Sequence, residues 1–303
     1  MSAGLKMRGS PVSIADHTAF LVSMLPLLRQ TQVLDVGANP ANRPAYADLV
    51  DAGVAQVHGF EPLHAAFQKL IETSGPYEEY YPYAVGAGGR ETFYVCENGS
   101  FSSLYAPDQE QVVALGHWEK SLTVTEQVAL DTVTLDDISS LPMPDMLKMD
   151  TQGAELAILE GGQRALSQAV VVMPEVRFFR LYEGEPMLGL VDQKLREMGF
   201  MLHKILPGAV LRLTSSRINR LRPAMTRNQM IDADAIYVRD IAQPDLMSDE
   251  QIANLALLAD AVFASMDLVL RCLDILVDRK AIPETVIDEY IAKLPRKFRV
   301  PQD

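Results

Sequence analysis

Four acidic residues stand where strand-like runs give way to turns: Asp35, Glu61, Asp150 and Glu175. Asp35 lies in Gln32-Val33-Leu34-Asp35-Val36-Gly37, a short apolar run closed by glycine. Glu61 follows Val54-Ala55-Gln56-Val57-His58-Gly59-Phe60 and precedes Pro62. In an open parallel sheet, ligands bind beyond the carboxyl ends of the strands, where strand order reverses. A carboxylate placed like Glu61 accepts two hydrogen bonds from a ribose diol. Gly37 lets backbone approach a ligand closely, and the amides of the turn through Ala38 and Asn39 add donors. The spacing G-x-G-x-x-G is absent, because Asn39 and Asn42 stand where glycines are needed. A pyrophosphate is poorly accommodated there, and a ligand with a ribose but no phosphate suits the loop better. Taken singly, Asp35 and Glu61 also read as ordinary strand-end caps.

Asp150 and Glu175 follow neighbouring later strands and are the best-placed bases. A carboxylate within hydrogen-bond reach of a reacting group can take its proton. Lining one cleft, the two would raise one another's pKa or share a metal. The competing readings are a structural or orienting role for Asp150 and, with Val176-Arg177 following, an ion pair for Glu175. Ser102 and Ser103 would touch a ligand or simply form a loop. His17, His64 and His117 are scattered, whereas His203 lies in the penultimate strand and is the histidine of interest. Cys96 and Cys272 lack partners at metal-ligand spacing and no H-E-x-x-H occurs, so no metal is expected.

These residues need elements to hold them. The pattern predicts a helix from Ser13 to Leu28, with Ser13 its cap, strands at 32–37 and 54–60, and helices at 44–52 and 64–72. Further strands are expected at 80–85, 91–96, 145–150, 169–173, 200–206 and 233–238, with helices at 154–166 and 186–198. Strands alternating with helices imply crossover connections and a parallel sheet covered on both faces. From Asp249 to Val277 apolar residues recur at spacings of three and four, giving one long helix with an apolar stripe, and a short helix follows from Pro283 to Leu294. The domain reading is an N-terminal helical segment over 1–30, an α/β domain over 31–241 and a C-terminal helical extension over 242–303. The extension buries its stripe either on its own sheet or on a second subunit, and a homodimer through these helices is the preferred expectation.

The net charge of −13 argues against a broad nucleic-acid face. No apolar run is long enough to span a bilayer, and Met-Ser-Ala-Gly-Leu-Lys shows no secretory pattern. With its two distant cysteines, the chain is expected in a reducing cytoplasm.

The ordered segments Val33-Leu34-Asp35-Val36-Gly37-Ala38-Asn39, Gly59-Phe60-Glu61-Pro62 and Leu147-Lys148-Met149-Asp150-Thr151-Gln152-Gly153-Ala154-Glu155 resemble the FkbM-type methyltransferase family. Ala84-Val85-Gly86 and Thr134-Leu135-Asp136 are also similar, and the resemblance runs from about residue 30 to 240. It implies a class I (Rossmann-like) methyltransferase fold, with a mostly parallel seven-stranded sheet and helices on both faces. It further implies S-adenosylmethionine as donor and usually O-methylation of sugars or related hydroxylated molecules. By position, Asp35, Gly37 and Asn39 would frame the methionine end of the cofactor. Glu61, with Pro62, would hold the ribose, Val85 would flank the adenine and Asp150 would face the reacting end. Ala41 replaces a glycine frequent in the family, and Pro40 stiffens the same turn. In such a fold the last strand is antiparallel, so the long link before it emerges at the ligand edge. Between Glu197 and Asp232 that stretch has no acid but carries Lys204, Arg212, Arg217, Arg220, Arg222 and Arg227. Arg217, Arg220 and Arg222, with His203, would bind the acceptor, clamping an anionic group if it has one. The alternatives are a non-catalytic binding or assembly protein, which fits the helical tail and Ala41, and a nicotinamide oxidoreductase, which lacks its glycine fingerprint.

Overall fold

The structure is a computed structural model that describes residues 14–300. Thr31–Val36 forms β1, and all six of its residues are buried. That follows from an apolar run at the centre of a parallel sheet, where both faces are covered. In chain order the elements begin with α1 (Asp16–Met24), β1, α2 (Ala47–Asp51), β2 (Ala55–Phe60), α3 (His64–Thr73), β3 (Glu78–Tyr81), β4 (Ala84–Val85) and β5 (Gly89–Cys96). Next come α4 (Gln109–Leu115), β6 (Val124–Val133), β7 (Met146–Met149), α5 (Glu155–Glu160), β8 (Val171–Arg177), α6 (Leu188–Glu197) and β9 (Phe200–Pro207). The chain continues through β10 (Val210–Leu211), β11 (Gln229–Met230), β12 (Asp232–Arg239), α7 (Asp249–Ala261), α8 (Met266–Asp278) and α9 (Thr285–Lys293).

The main sheet has the order β3-β2-β1-β7-β8-β12-β9. The first five strands pair in parallel, and β12 is antiparallel to both β8 and β9. This is the class I methyltransferase arrangement, and strand order reverses between β1 and β7. A second sheet, β4-β6-β5, flanks it. Its long strand β6 was not expected from the sequence, although covered Val128, Leu130 and Thr132 alternate along it with exposed Ala129 and Asp131. Residues 80–85 form two strands instead of the expected one, because Pro82 has no N–H for the ladder.

Alternate residues of each strand feed opposite cores. Val33, Met146, Val171 and Ile236 face one side, with Leu255, Leu258, Val269, Leu273 and Leu276 of α7 and α8 and Leu21 of α1 packed on them. Leu34, Leu147, Val172 and Tyr237 face the other side, under Ile158 of α5 and Val191 and Leu195 of α6. A third, smaller core joins Val112, Leu115, Leu122, Tyr182 and Ile231 near the carboxyl edge.

Several helix boundaries differ from the sequence reading. The first helix stops at Met24 because Pro26 forces Leu25 into an extended conformation with ψ 146°; Ser13, its expected cap, lies outside the described residues. The helix expected over 154–166 ends at Glu160, before Gly161-Gly162, which pack closely on Thr134 and Leu135. The long C-terminal helix is two helices, interrupted at Ala264, whose φ is +48°. Ser248 and Gln251 form a capping box at the start of α7. All residues from Ile252 to Asp260 are buried, so the apolar stripe packs on the chain's own sheet. The ground for expecting a second subunit there is therefore removed, and the helices at both ends of the chain share one core with the sheet. Asp260 fastens them: its fully buried carboxylate meets His17 Nδ1 at 2.8 Å and accepts from Thr18 Oγ1 at 2.5 Å and Tyr290 OH at 2.6 Å.

Candidate active site

Where strand order reverses, the ends of β1, β2, β7 and β8 surround a cavity of about 320 Å³, within the range of small-molecule sites. Gly37, Asn39, Glu61, Pro62, Val85, Asp150 and Glu175 all line it. Gly37 is required by two features: its φ is +84°, and a Cβ there would stand 2.1 Å from the Asp150 carbonyl oxygen. Gly37→Ala is expected to cost about 1–3 kcal/mol through backbone conformation alone. An unchanged urea midpoint in the variant would refute this close approach. Asn39 turns its Oδ1 back to accept from Ala41 N–H at 2.9 Å, so Pro40 and Ala41 sit in a side-chain-supported turn.

Glu61 accepts from Leu63 N–H at 2.7 Å. Burial raises its pKa to about 7, against the smaller pull of that N–H. Beside it, Phe60 and Tyr83 line the cavity, with Tyr81 stacked between them at 5.3 and 6.2 Å.

On the other side, Gln152 connects the candidate bases. It has φ +57°, in the turn that ends β7. Its amide donates to Asp150 Oδ1 at 2.9 Å and Glu175 Oε2 at 2.8 Å. Its Oε1 accepts from Arg177 Nη2 at 2.5 Å and Tyr182 OH at 3.0 Å. The Arg177 guanidinium can only donate, so the amide orientation is fixed and both carboxylates are held on one amide. Glu155 clamps the same turn, accepting from Thr151 N–H at 2.9 Å and Gly153 N–H at 3.0 Å. Burial pushes the Glu175 carboxyl well above the usual carboxylate range; Arg177 opposes this and Asp150 adds to it. Arg177, 4 % exposed, pairs with Glu175 at 2.8 Å and Asp232 at 3.0 Å and approaches Glu185 at 3.5 Å. Phe101 and Trp118, with centroids 5.3 Å apart, close the same end of the cavity.

Not every expected residue arrives here. Asp35 lies beneath the Gly37 turn, not on the cavity wall, because it shares the strand face of Thr31 and Val33. It accepts from Tyr46 OH and from Lys148 Nζ at 3.3 Å. Burial works against the Lys148 ammonium, but Asp35 and Asp150 overcome it and raise its pKa to about 12. His203 faces the helical side, its Nε2 2.6 Å from Ser265 Oγ, while Lys204 donates to the Phe263 carbonyl at 2.6 Å. Arg217, Arg220 and Arg222 are exposed on the link between β10 and β11 and lie off the cavity wall. Gln152, Arg177, Asp232 and Trp118 were not read as site residues. The signals available were the left-handed turn that Gly153 invites and the chain's single tryptophan. No cluster of potential metal ligands occurs among the described residues, and no described helix is long and apolar enough to cross a membrane.

No curated protein sequence matches the chain significantly. Among solved structures it is similar to a TehB-like SAM-dependent methyltransferase from Corynebacterium glutamicum, at 11 % identity, with 75 % of this chain and 89 % of that chain covered and a TM-score of 0.36. It is also similar to magnesium protoporphyrin IX methyltransferase from Synechocystis PCC 6803 with bound SAM, at 12 % identity over 74 % and 76 % of the two chains and a TM-score of 0.36. A third is precorrin-6y C5,15-methyltransferase from Geobacter metallireducens, at 14 % identity over 73 % and 87 %, again with a TM-score of 0.36. Likeness at this level bears on neither substrate nor partner. The sequence profile of the methyltransferase FkbM domain matches residues 35–202, and the chain belongs to that family of S-adenosylmethionine-dependent methyltransferases.

Proposed function

We propose that the protein methylates a hydroxyl group of a sugar or a similarly hydroxylated small molecule in the cytoplasm. The observation that carries this reading is the opposition, across one cavity, of Glu61 and the Asp150–Gln152–Glu175 group. The residues present suit the cofactor: a carboxylate for a ribose diol, apolar walls at Phe60, Tyr83 and Val85 for adenine, and a glycine cradle at Gly37. Bound adenosylmethionine supplies an electrophilic methyl group. Glu61 accepts the ribose hydroxyls, and Gly37 leaves room for the methionine end. Asp150 faces the reacting end. Glu175, made a stronger base by its burial, takes the proton from the acceptor hydroxyl. Phe101 and Trp118 offer an apolar wall for a sugar ring and keep water away. Arg217, Arg220 and Arg222 would meet only a part of an acceptor that extends out of the cavity.

The test begins with thermal unfolding in the presence of adenosylmethionine, adenosylhomocysteine or NAD. The first two are expected to raise the midpoint and NAD to leave it unchanged, since only ligands that bind the folded state stabilise it. Adenosylhomocysteine formation is then followed with a panel of hydroxylated sugars. Stabilisation by NAD alone would overturn the cofactor assignment, and turnover only with amine acceptors would overturn O-methylation.

A further inference from the structure

The link from Gly208 to Ile231 contains five arginines, no acidic residue and no aromatic residue. It leaves 22 basic residues against 40 acidic ones in the remainder of the chain. Arg217, Arg220, Arg222 and Arg227 are exposed. None of their guanidinium groups has an ion-pair or hydrogen-bond partner among the described residues, so the arginines are not neutralised by the protein's own acids. Between them stand exposed aliphatic side chains: Leu213 at 50 %, Leu221 at 55 % and Met225 at 76 %.

The base of this link is firmly held. Val210–Leu211 pairs with Gln229–Met230, and Ala209 and Leu211 pack against the core of Val112, Leu115 and Tyr182. Gly116 at the end of α4 seats Thr214, leaving no room for a Cβ. Ala209 and Asp232, at the two roots of the link, both line the cavity. A basic, aliphatic tip is thus carried, on an acidic protein, by a link whose two roots line the cavity.

We infer that this tip docks on an anionic membrane surface and turns the cavity mouth toward it. Arginines reach lipid phosphates while Leu213, Leu221 and Met225 enter the interface. The net negative charge of the rest of the chain is repelled by the same surface, which favours approach by this basic edge. A single-stranded nucleic acid is the weaker match, since no aromatic side chain in the link offers a stacking platform. The acceptor hydroxyl would then belong to a lipid-linked or membrane-presented molecule. The docking itself does not depend on which group is methylated.

The experiment is co-sedimentation of the full chain with vesicles of phosphatidylcholine alone or mixed with phosphatidylglycerol. Binding is expected only to the mixed vesicles and is expected to weaken with added salt. Replacing Arg217, Arg220 and Arg222 together by Ala should weaken it about a hundredfold, at about fivefold for each basic residue near an anionic surface. Met225→Asp paired with Leu221→Asp should also abolish it. Each variant's unfolding midpoint should match the parent's, because these side chains are exposed. Absence of vesicle binding, equal binding to both vesicle types, or binding that survives the arginine substitutions would overturn the inference. So would arginine-dependent binding of inorganic pyrophosphate without vesicle association, which would assign the arginines to a soluble anion.

Discussion

Glu61→Ala weakens adenosylmethionine binding by about 1.5–3 kcal/mol in calorimetric titration, the loss expected when hydrogen bonds to a charged group are removed. Its pH dependence is equally specific. The unliganded Glu61 carboxyl, raised by burial, takes its proton near pH 7. Ribose hydroxyls donate to the ionised form, so binding releases that proton. Wild-type affinity should be level above pH 7 and fall about tenfold per unit below it, whereas Glu61→Gln should show no such slope. The same group acts on stability in the opposite sense. A raised pKa favours the unliganded fold fully below the ordinary carboxyl value and loses that contribution as pH climbs through 7. Equal affinity for wild type and Glu61→Ala would remove Glu61 from the ribose site.

Arg177→Met should produce the largest loss of stability. One buried guanidinium holds Glu175 and Asp232 and stands near Glu185. Removing it leaves carboxylates without their cation, at a cost of about 3–5 kcal/mol for a broken buried pair. The sign with pH follows from the carboxyls. Burial already raises Glu175 and Glu185, and Arg177 opposes the rise in both. In the variant both should rise further, so its deficit should be greatest at high pH and shrink as pH falls and the groups become neutral. Urea unfolding at several pH values measures this; a deficit constant with pH would mean that Arg177 acts by packing alone.

The strand ends were legible because their signals are local. A buried run closed by Gly37, and another closed by Glu61-Pro62, each announce a strand and its exit within seven residues. Asp35 was assigned to the ligand by its place in the chain. A period-two count puts it on the face of Thr31, which meets Asn254 of α7, and so away from the cavity. His203 likewise faces the helices. Gln152 could not be weighed from sequence, because its importance lies in four partners contributed by β7, β8 and the segment at Tyr182. The break at Ala264 gave no proline or glycine to read, so two helices looked like one. The arginine link was legible in composition, but its standing off the cavity wall depends on the β10–β11 ladder, two residues on each side.

The clasp at Asp260 has a consequence for how the protein is made. His17 and Asp260 are 243 positions apart, and Tyr290 completes the contact from α9. A ribosome therefore synthesises the seven strands before it delivers α7, α8 and α9, which with α1 and α2 cover one side of them. Until then Val33, Met146, Val171 and Ile236 form an open apolar wall on the nascent chain, a surface suited to chaperones and to unwanted association. The pairing of such distant segments also slows the final step of folding. By the same reasoning, a chain ended near Ile241 should be recovered as aggregate even though it carries every candidate catalytic and cofactor residue.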